Sequence, residues 1–200
     1  MQKGTLPSWL LMTDAPRDLN FAIYVACSFD LLPDTLPFIK EHLWSAYPAH
    51  PLETSEHKTL IAQWKQWWDD IVDDRAQNEL HGRWIKYYSP DGHFSGLPQP
   101  LGQKCEAVFP SFRDWWGMTA GGQKGVNYWD KASEFQPIVK QVETELERAV
   151  QPFRLKVDYV YTGLGSIVDV SSTYAIMSVH RPNASIYNND WWLAKVRELA

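Results

Sequence analysis

The sequence predicts a single α+β domain over residues 1–200. It should hold a mixed or antiparallel sheet of about four to five strands with a long C-terminal hairpin, packed by about four to five amphipathic helices. Three observations lead there. Apolar residues alternate with period two over Leu19 to Phe29 and again over Arg154 to Thr162. Apolar stripes at helical spacing run over Thr54 to Gln77 and Gln136 to Val150. No repeat, low-complexity tract or linker divides the 200 residues, of which 44% are apolar, and a chain of this size buries roughly 70% of its unfolded surface.

The elements follow in order. Leu19, Phe21, Ile23, Val25, Cys27 and Phe29 fall on one side of a two-residue period, which predicts a half-buried strand. Asp34 can cap a helix to about Tyr47, with Pro37 in its first turn and Pro48 and Pro51 ending it. From about Thr54 to Gln77, Leu60, Ile61, Trp64, Trp67, Trp68, Ile71 and Val72 repeat at three and four, which predicts a second helix. Arg83 to Tyr88 is strand-like and ends in the turn signal Ser89-Pro90-Asp91-Gly92. No period is visible from Ser89 to Cys105, so a long loop is expected, then a short strand from Glu106 to Phe109. Glycines around Lys124 predict another loop. Phe135, Ile138, Val139, Val142, Leu146, Ala149 and Val150 form the stripe of a helix that Pro152 closes. Arg154 to Thr162 reads as a strand; Gly163 and Gly165 turn the chain, and Ser172 to His180 returns it as the hairpin. Asn188, Asn189 or Asp190 can cap a last helix with Trp192, Val196 and Leu199 inward.

Composition narrows the function. The formal charge is −5, and nucleic acid is a disfavoured partner because its affinity comes from Lys and Arg on phosphates. Most of the acidic excess is local: Glu53, Glu56, Asp69, Asp70, Asp73, Asp74 and Glu79 stand against Lys58, Lys65 and Arg75. Cys27 and Cys105 lack metal-site spacing, and Cys27, in an alternating apolar run, reads as a buried reduced thiol. No apolar run approaches the ~20 residues of a membrane span, and the N-terminus shows no signal-peptide core, so a cytoplasmic protein without a membrane partner is expected.

Chemistry-bearing motifs are incomplete. Asp69-Asp70-Ile71-Val72-Asp73-Asp74 resembles the DDxxD signature of the isoprenoid diphosphate and terpene synthase families, whose carboxylates hold Mg²⁺ against a diphosphate. Here the aspartates lie opposite or flanking the apolar face. Leu193 and Arg197 also stand where the second metal motif needs a hydroxyl and a carboxylate, and the strands do not suit an all-helical fold. A solvated acidic face is the reading adopted. Gly117 to Gly125 lacks the Gly-Lys-Ser/Thr of a phosphate loop, and Gly163-Leu164-Gly165 lacks the third glycine of a dinucleotide site. The six histidines show no metal-binding pair at helical spacing. Neither metal nor cofactor is expected.

The outlier is aromatic: eleven Trp, nine Tyr and eight Phe, with doublets at Trp67-Trp68, Trp115-Trp116 and Trp191-Trp192. The first lies on an inward helix face and the last opens a terminal helix. Trp115-Trp116 sits between two predicted loops, and tryptophan there suits either a loop anchor or a contact patch. The candidate ligand- or partner-binding residues are therefore His93, Phe94, Asp114, Trp115, Trp116 and Lys124. The expected function is that of a binding protein using an aromatic patch and an acidic helix face, with a composition like that of small inhibitor or immunity-type proteins. The alternative is a small-molecule enzyme with its active site built from the loops of residues 89–128, using His93 or Asp91 as acid or base.

Overall fold

The computed structural model describes residues 9–40, 54–77, 91–119, 122–128, 135–179 and 189–200. Strand β1 (Trp9–Asp14) leads into α1 (Arg17–Ser28), followed by α2 (Thr54–Gln77), α3 (Leu101–Gly117), α4 (Gly122–Tyr128) and α5 (Phe135–Leu146). Strands β2 (Phe153–Val160), β3 (Val168–Ser171) and β4 (Tyr174–Ser178) come next, and α6 (Asn189–Leu199) ends the chain. The sheet is mixed, in the order β1-β2-β4-β3, so the α+β class stands. β1 pairs parallel with β2 from Trp9 opposite Phe153 to Asp14 opposite Asp158; β2 pairs parallel with β4, and β3 antiparallel with β4.

The helices and the strand predicted over Thr54 to Gln77, Gln136 to Val150, Arg154 to Thr162 and the C-terminal segment are present. α2 has the predicted bounds, and it buries Leu60, Trp64, Trp67, Trp68 and Ile71. β2 follows the alternation, and α6 turns Trp192 and Val196 inward. α5 is shorter than its stripe: the helix ends at Leu146, Glu147 has φ 52°, and both Leu146 and Ala149 are exposed.

Five predictions are corrected, the first being the loop expected around Lys124, which is the helix α4. The strand over Leu19 to Phe29 is the helix α1, in which every residue from Asp18 to Ser28 except Cys27 is buried. A helix covered on all faces shows no polar stripe, and alternating large and small residues then mimic a strand period. The short strand Glu106 to Phe109 lies inside α3, which also takes up the end of the predicted 89–105 loop. Leu101, Cys105, Val108, Phe112 and Trp116 form its buried stripe, with Pro110 exposed within the helix. Residues 34–40 of the predicted Asp34 helix are not helical, because Phe38 bridges to Leu164 and the Ile39 N–H donates to the Gly163 carbonyl at 3.0 Å. Lastly, the long hairpin is replaced by a short one between β3 and β4, since β2 and β4 run parallel. Gly163 directs this route. Its φ is 88°, and a Cβ there would sit 2.6 Å from Ile23, so the chain leaves the sheet to bond with residues 37–39 before β3 begins. The strand expected at Arg83 to Tyr88, residues 41–47 of the Asp34 helix, and Trp44, Trp84 and Trp129 lie outside the described residues.

Helices cover both faces of the sheet, which is why nearly all of β2 is buried. On the face of Trp9 and Phe153, Phe135 of α5 meets Trp9 edge-on at 5.2 Å and Trp192 at 5.5 Å. The other face carries Lys156 and Asp158, where α2 and the start of α1 arrive. Beyond it α1, α2 and α3 share an aromatic core centred on Phe21, whose ring lies 4.8 Å from Phe112, 5.1 Å from Phe94, 5.5 Å from Phe109 and 6.0 Å from Trp67. Trp64 Nε1 donates to the Ala22 carbonyl at 2.7 Å and locks α2 onto α1.

Candidate functional site

The sequence-predicted residues separate into core and surface. Phe94 and Trp116 are buried, Phe94 against Phe21 and Phe109, and Trp116 stacked on Phe112 at 5.5 Å. Trp115 is half-buried, in a T-shaped contact with Tyr161 at 5.1 Å and stacked near Tyr24 at 6.1 Å. It anchors the end of α3 to α1 and to the end of β2, with part of its ring still in solvent. His93, Asp114 and Lys124 are exposed. What remains at the surface is the outer part of Trp115, flanked by Asp114 and by Met118, which is 57% exposed.

A second constellation lies between α1, α2 and the sheet. Asp14 ends β1, a two-residue connection starts α1, and Asp18 falls in its first turn. Parallel register brings Asp14 beside Asp158. Arg75, in the last turn of α2, reaches all three carboxylates: Nε donates to Asp158 Oδ2 at 2.5 Å, Nη2 to Asp14 Oδ2 at 3.1 Å, and Nη1 lies 3.5 Å from Asp18 Oδ1. The Tyr174 hydroxyl donates to Asp158 Oδ2 at 2.7 Å. Lys156 Nζ donates to the Arg75 carbonyl at 2.7 Å, 3.9 Å from Asp158 Oδ2 and over the Tyr174 ring at 4.6 Å.

Low exposure makes these contacts strong and any imbalance costly. Asp158 is 0% and Asp18 4% exposed, whereas Asp14 is 33% exposed. Among the described residues, Asp158 Oδ1 and Asp18 Oδ2 have no hydrogen-bond donor. Burial pushes the Asp18 carboxyl up to about 6; Arg75 and the backbone N–H groups of Leu19 and Asp18 pull it down, and the Asp158 charge raises it further. Burial also works against the Arg75 charge, but the Asp158 hydrogen bond and the Asp18 and Asp158 charges outweigh it and hold the guanidinium protonated. Burial lowers Lys156, with Asp158 opposing, and raises Tyr174 well above the usual phenol range.

Sequence reasoning missed this cluster. Lys156 and Asp158 fall on the polar side of the β2 alternation, and the structure covers that face with α2. The one local signal was Asp18 at the head of a run that proved buried except at Cys27.

The four aspartates of the DDxxD-like string line the outer side of α2. Asp69 and Asp70 are half-buried and paired one turn back, with Lys65 at 2.6 Å and Gln66 at 2.8 Å, while Asp73 and Asp74 are exposed. No group of three or more His, Cys, Asp or Glu among the described residues could hold a metal ion, and at the buried cluster the positive charge at the centre is Arg75 itself. Burial, with the Asp30 charge adding, pushes the Cys27 thiol up to about 12, so it stays protonated at neutral pH. Among the described residues no helix is long and apolar enough to cross a membrane. No family model, curated protein or solved structure matches this chain.

Proposed function

We propose that this protein works by binding another protein, in the cytoplasm, using the acidic outer face of α2 and the exposed part of the Trp115 patch. The observation that carries the reading is the division of α2. Leu60, Trp64, Trp67, Trp68 and Ile71 are buried, which fixes the rotation of the helix, and that rotation leaves Asp69, Asp70, Asp73 and Asp74 opposite or flanking the buried face. Lys65 offsets Asp69 locally, and Asp73 and Asp74 are exposed in the last turns. A face of this sign favours a basic partner and speeds its encounter, with strong dependence on salt. Trp115 with Met118 would add apolar contact area. A loop-built active site at residues 89–128 has no comparable support, because Phe94 and Trp116 pack into the core and His93, Asp114 and Lys124 are exposed.

The test is affinity capture from native lysate with the unaltered protein and with Asp69→Asn/Asp70→Asn/Asp73→Asn/Asp74→Asn, both checked for folding by circular dichroism. The reading expects a discrete basic protein that the variant fails to hold and that higher salt releases. Equal capture by both proteins would exclude the α2 face.

A further inference from the structure

The Arg75 cluster is the largest buried charge network among the described residues, and its three carboxylates are not equally met. Charged groups face Asp18 from every element around it: Asp14 from β1, Arg75 from α2, and Lys156 and Asp158 from β2, with the Tyr174 hydroxyl from β4. Of the three carboxylates that Arg75 reaches, Asp18 is the least well met. Its contact with Arg75, at 3.5 Å, is longer than the 2.5 Å and 3.1 Å contacts made by Asp158 and Asp14, and its second oxygen has no donor among the described residues. Water reaches Asp14 through its exposed side, and Asp158 holds the shortest bond to Arg75.

We propose that Asp18 is the proton-binding member of a charge latch that ties the C-terminal end of α2 to α1 and the sheet, so that the docking of α2 is linked to pH. One proton on Asp18 removes a buried negative charge and leaves Arg75 shared between Asp14 and Asp158. Loss of that proton places a poorly met charge between the first turn of α1 and β2, where water is excluded. The direction follows from where Asp18 titrates. Its folded value of about 6 lies above the ordinary 3.8, so the folded protein binds this proton more tightly than the unfolded chain. The stability it contributes is complete below about pH 4, declines as pH rises toward 6, and is lost above that. The latch is thus tighter in mild acid, opposite to the behaviour of an exposed, salt-bridged aspartate. The proposal does not depend on what binds the outer face of α2.

The experiment is a carbon-detected NMR titration of the side-chain carboxyls in the unaltered protein. A midpoint for Asp18 above about pH 5 is expected, and one below it overturns the proposal. Urea unfolding of Asp18→Asn against the unaltered protein, in mild acid and at neutral pH, gives a second reading. The ratio of their unfolding constants should move by roughly tenfold or more in favour of the variant as pH rises, and a ratio that stays flat overturns the latch. A residue needed only for packing would shift both conditions equally. Where Asp18→Asn does not fold, the NMR midpoint of the unaltered protein decides alone.

Discussion

The Phe21 core and the Arg75 cluster both hold α1 and α2 together, by different physics. Around Phe21 five aromatic rings from α1, α2, α3 and the turn before α3 meet edge-on or stacked, and the contact is insensitive to charge and salt. About two turns further along α2, Arg75 meets three carboxylates on the sheet side, where stability depends on how many protons are present. The same helix pair is therefore fixed at one end by area and trimmed at the other by charge. That difference separates what keeps the protein folded from what can respond to conditions.

Breaking the aromatic side should cost most. Phe21→Ala removes a fully buried ring with neighbours on every side, and an expected loss of about 4 kcal/mol can be read from urea unfolding. Next comes Arg75→Leu, which leaves Asp18 and Asp158 buried without their guanidinium. A loss of about 3 kcal/mol at neutral pH is expected, shrinking in mild acid where the Asp18 carboxyl holds its proton. Trp115→Ala should cost only about 1–2 kcal/mol by thermal unfolding, since part of the ring is already in solvent; a loss as large as that of Phe21→Ala would make Trp115 a full core residue. Smallest is Asp73→Asn on the exposed face of α2, expected within about 0.5 kcal/mol of the unaltered protein, so that any effect on partner capture is free of a folding defect.

The legibility of these two regions in the sequence also differs. α2 was readable because Trp64, Trp67, Trp68 and Ile71 alternate with polar residues at helical spacing, and β2 because Leu155, Val157 and Tyr159 alternate with Lys156 and Asp158. α1 was not, because burial on all sides removes the polar stripe that marks a helix. The α3 stripe from Leu101 to Trp116 was present at spacings of three and four, but Pro110 and the glycines before it drew the reading toward loop and strand. Trp115-Trp116 was singled out as a loop feature, whereas its position at the end of α3 divides the pair into one buried and one half-exposed ring. The charge cluster could not be assembled from sequence. Its members run from Asp14 to Tyr174, and only the parallel register of β1 on β2 and the length of α2 bring them together.

The most direct measurement is urea unfolding of the unaltered protein, Phe21→Ala and Arg75→Leu at about pH 5 and about pH 7.5. The Phe21→Ala cost should agree between the two conditions to within about 0.5 kcal/mol, while the Arg75→Leu cost should grow by about 1 kcal/mol or more at the higher pH. An Arg75→Leu cost that does not change with pH would contradict the account of a charge-trimmed end of α2.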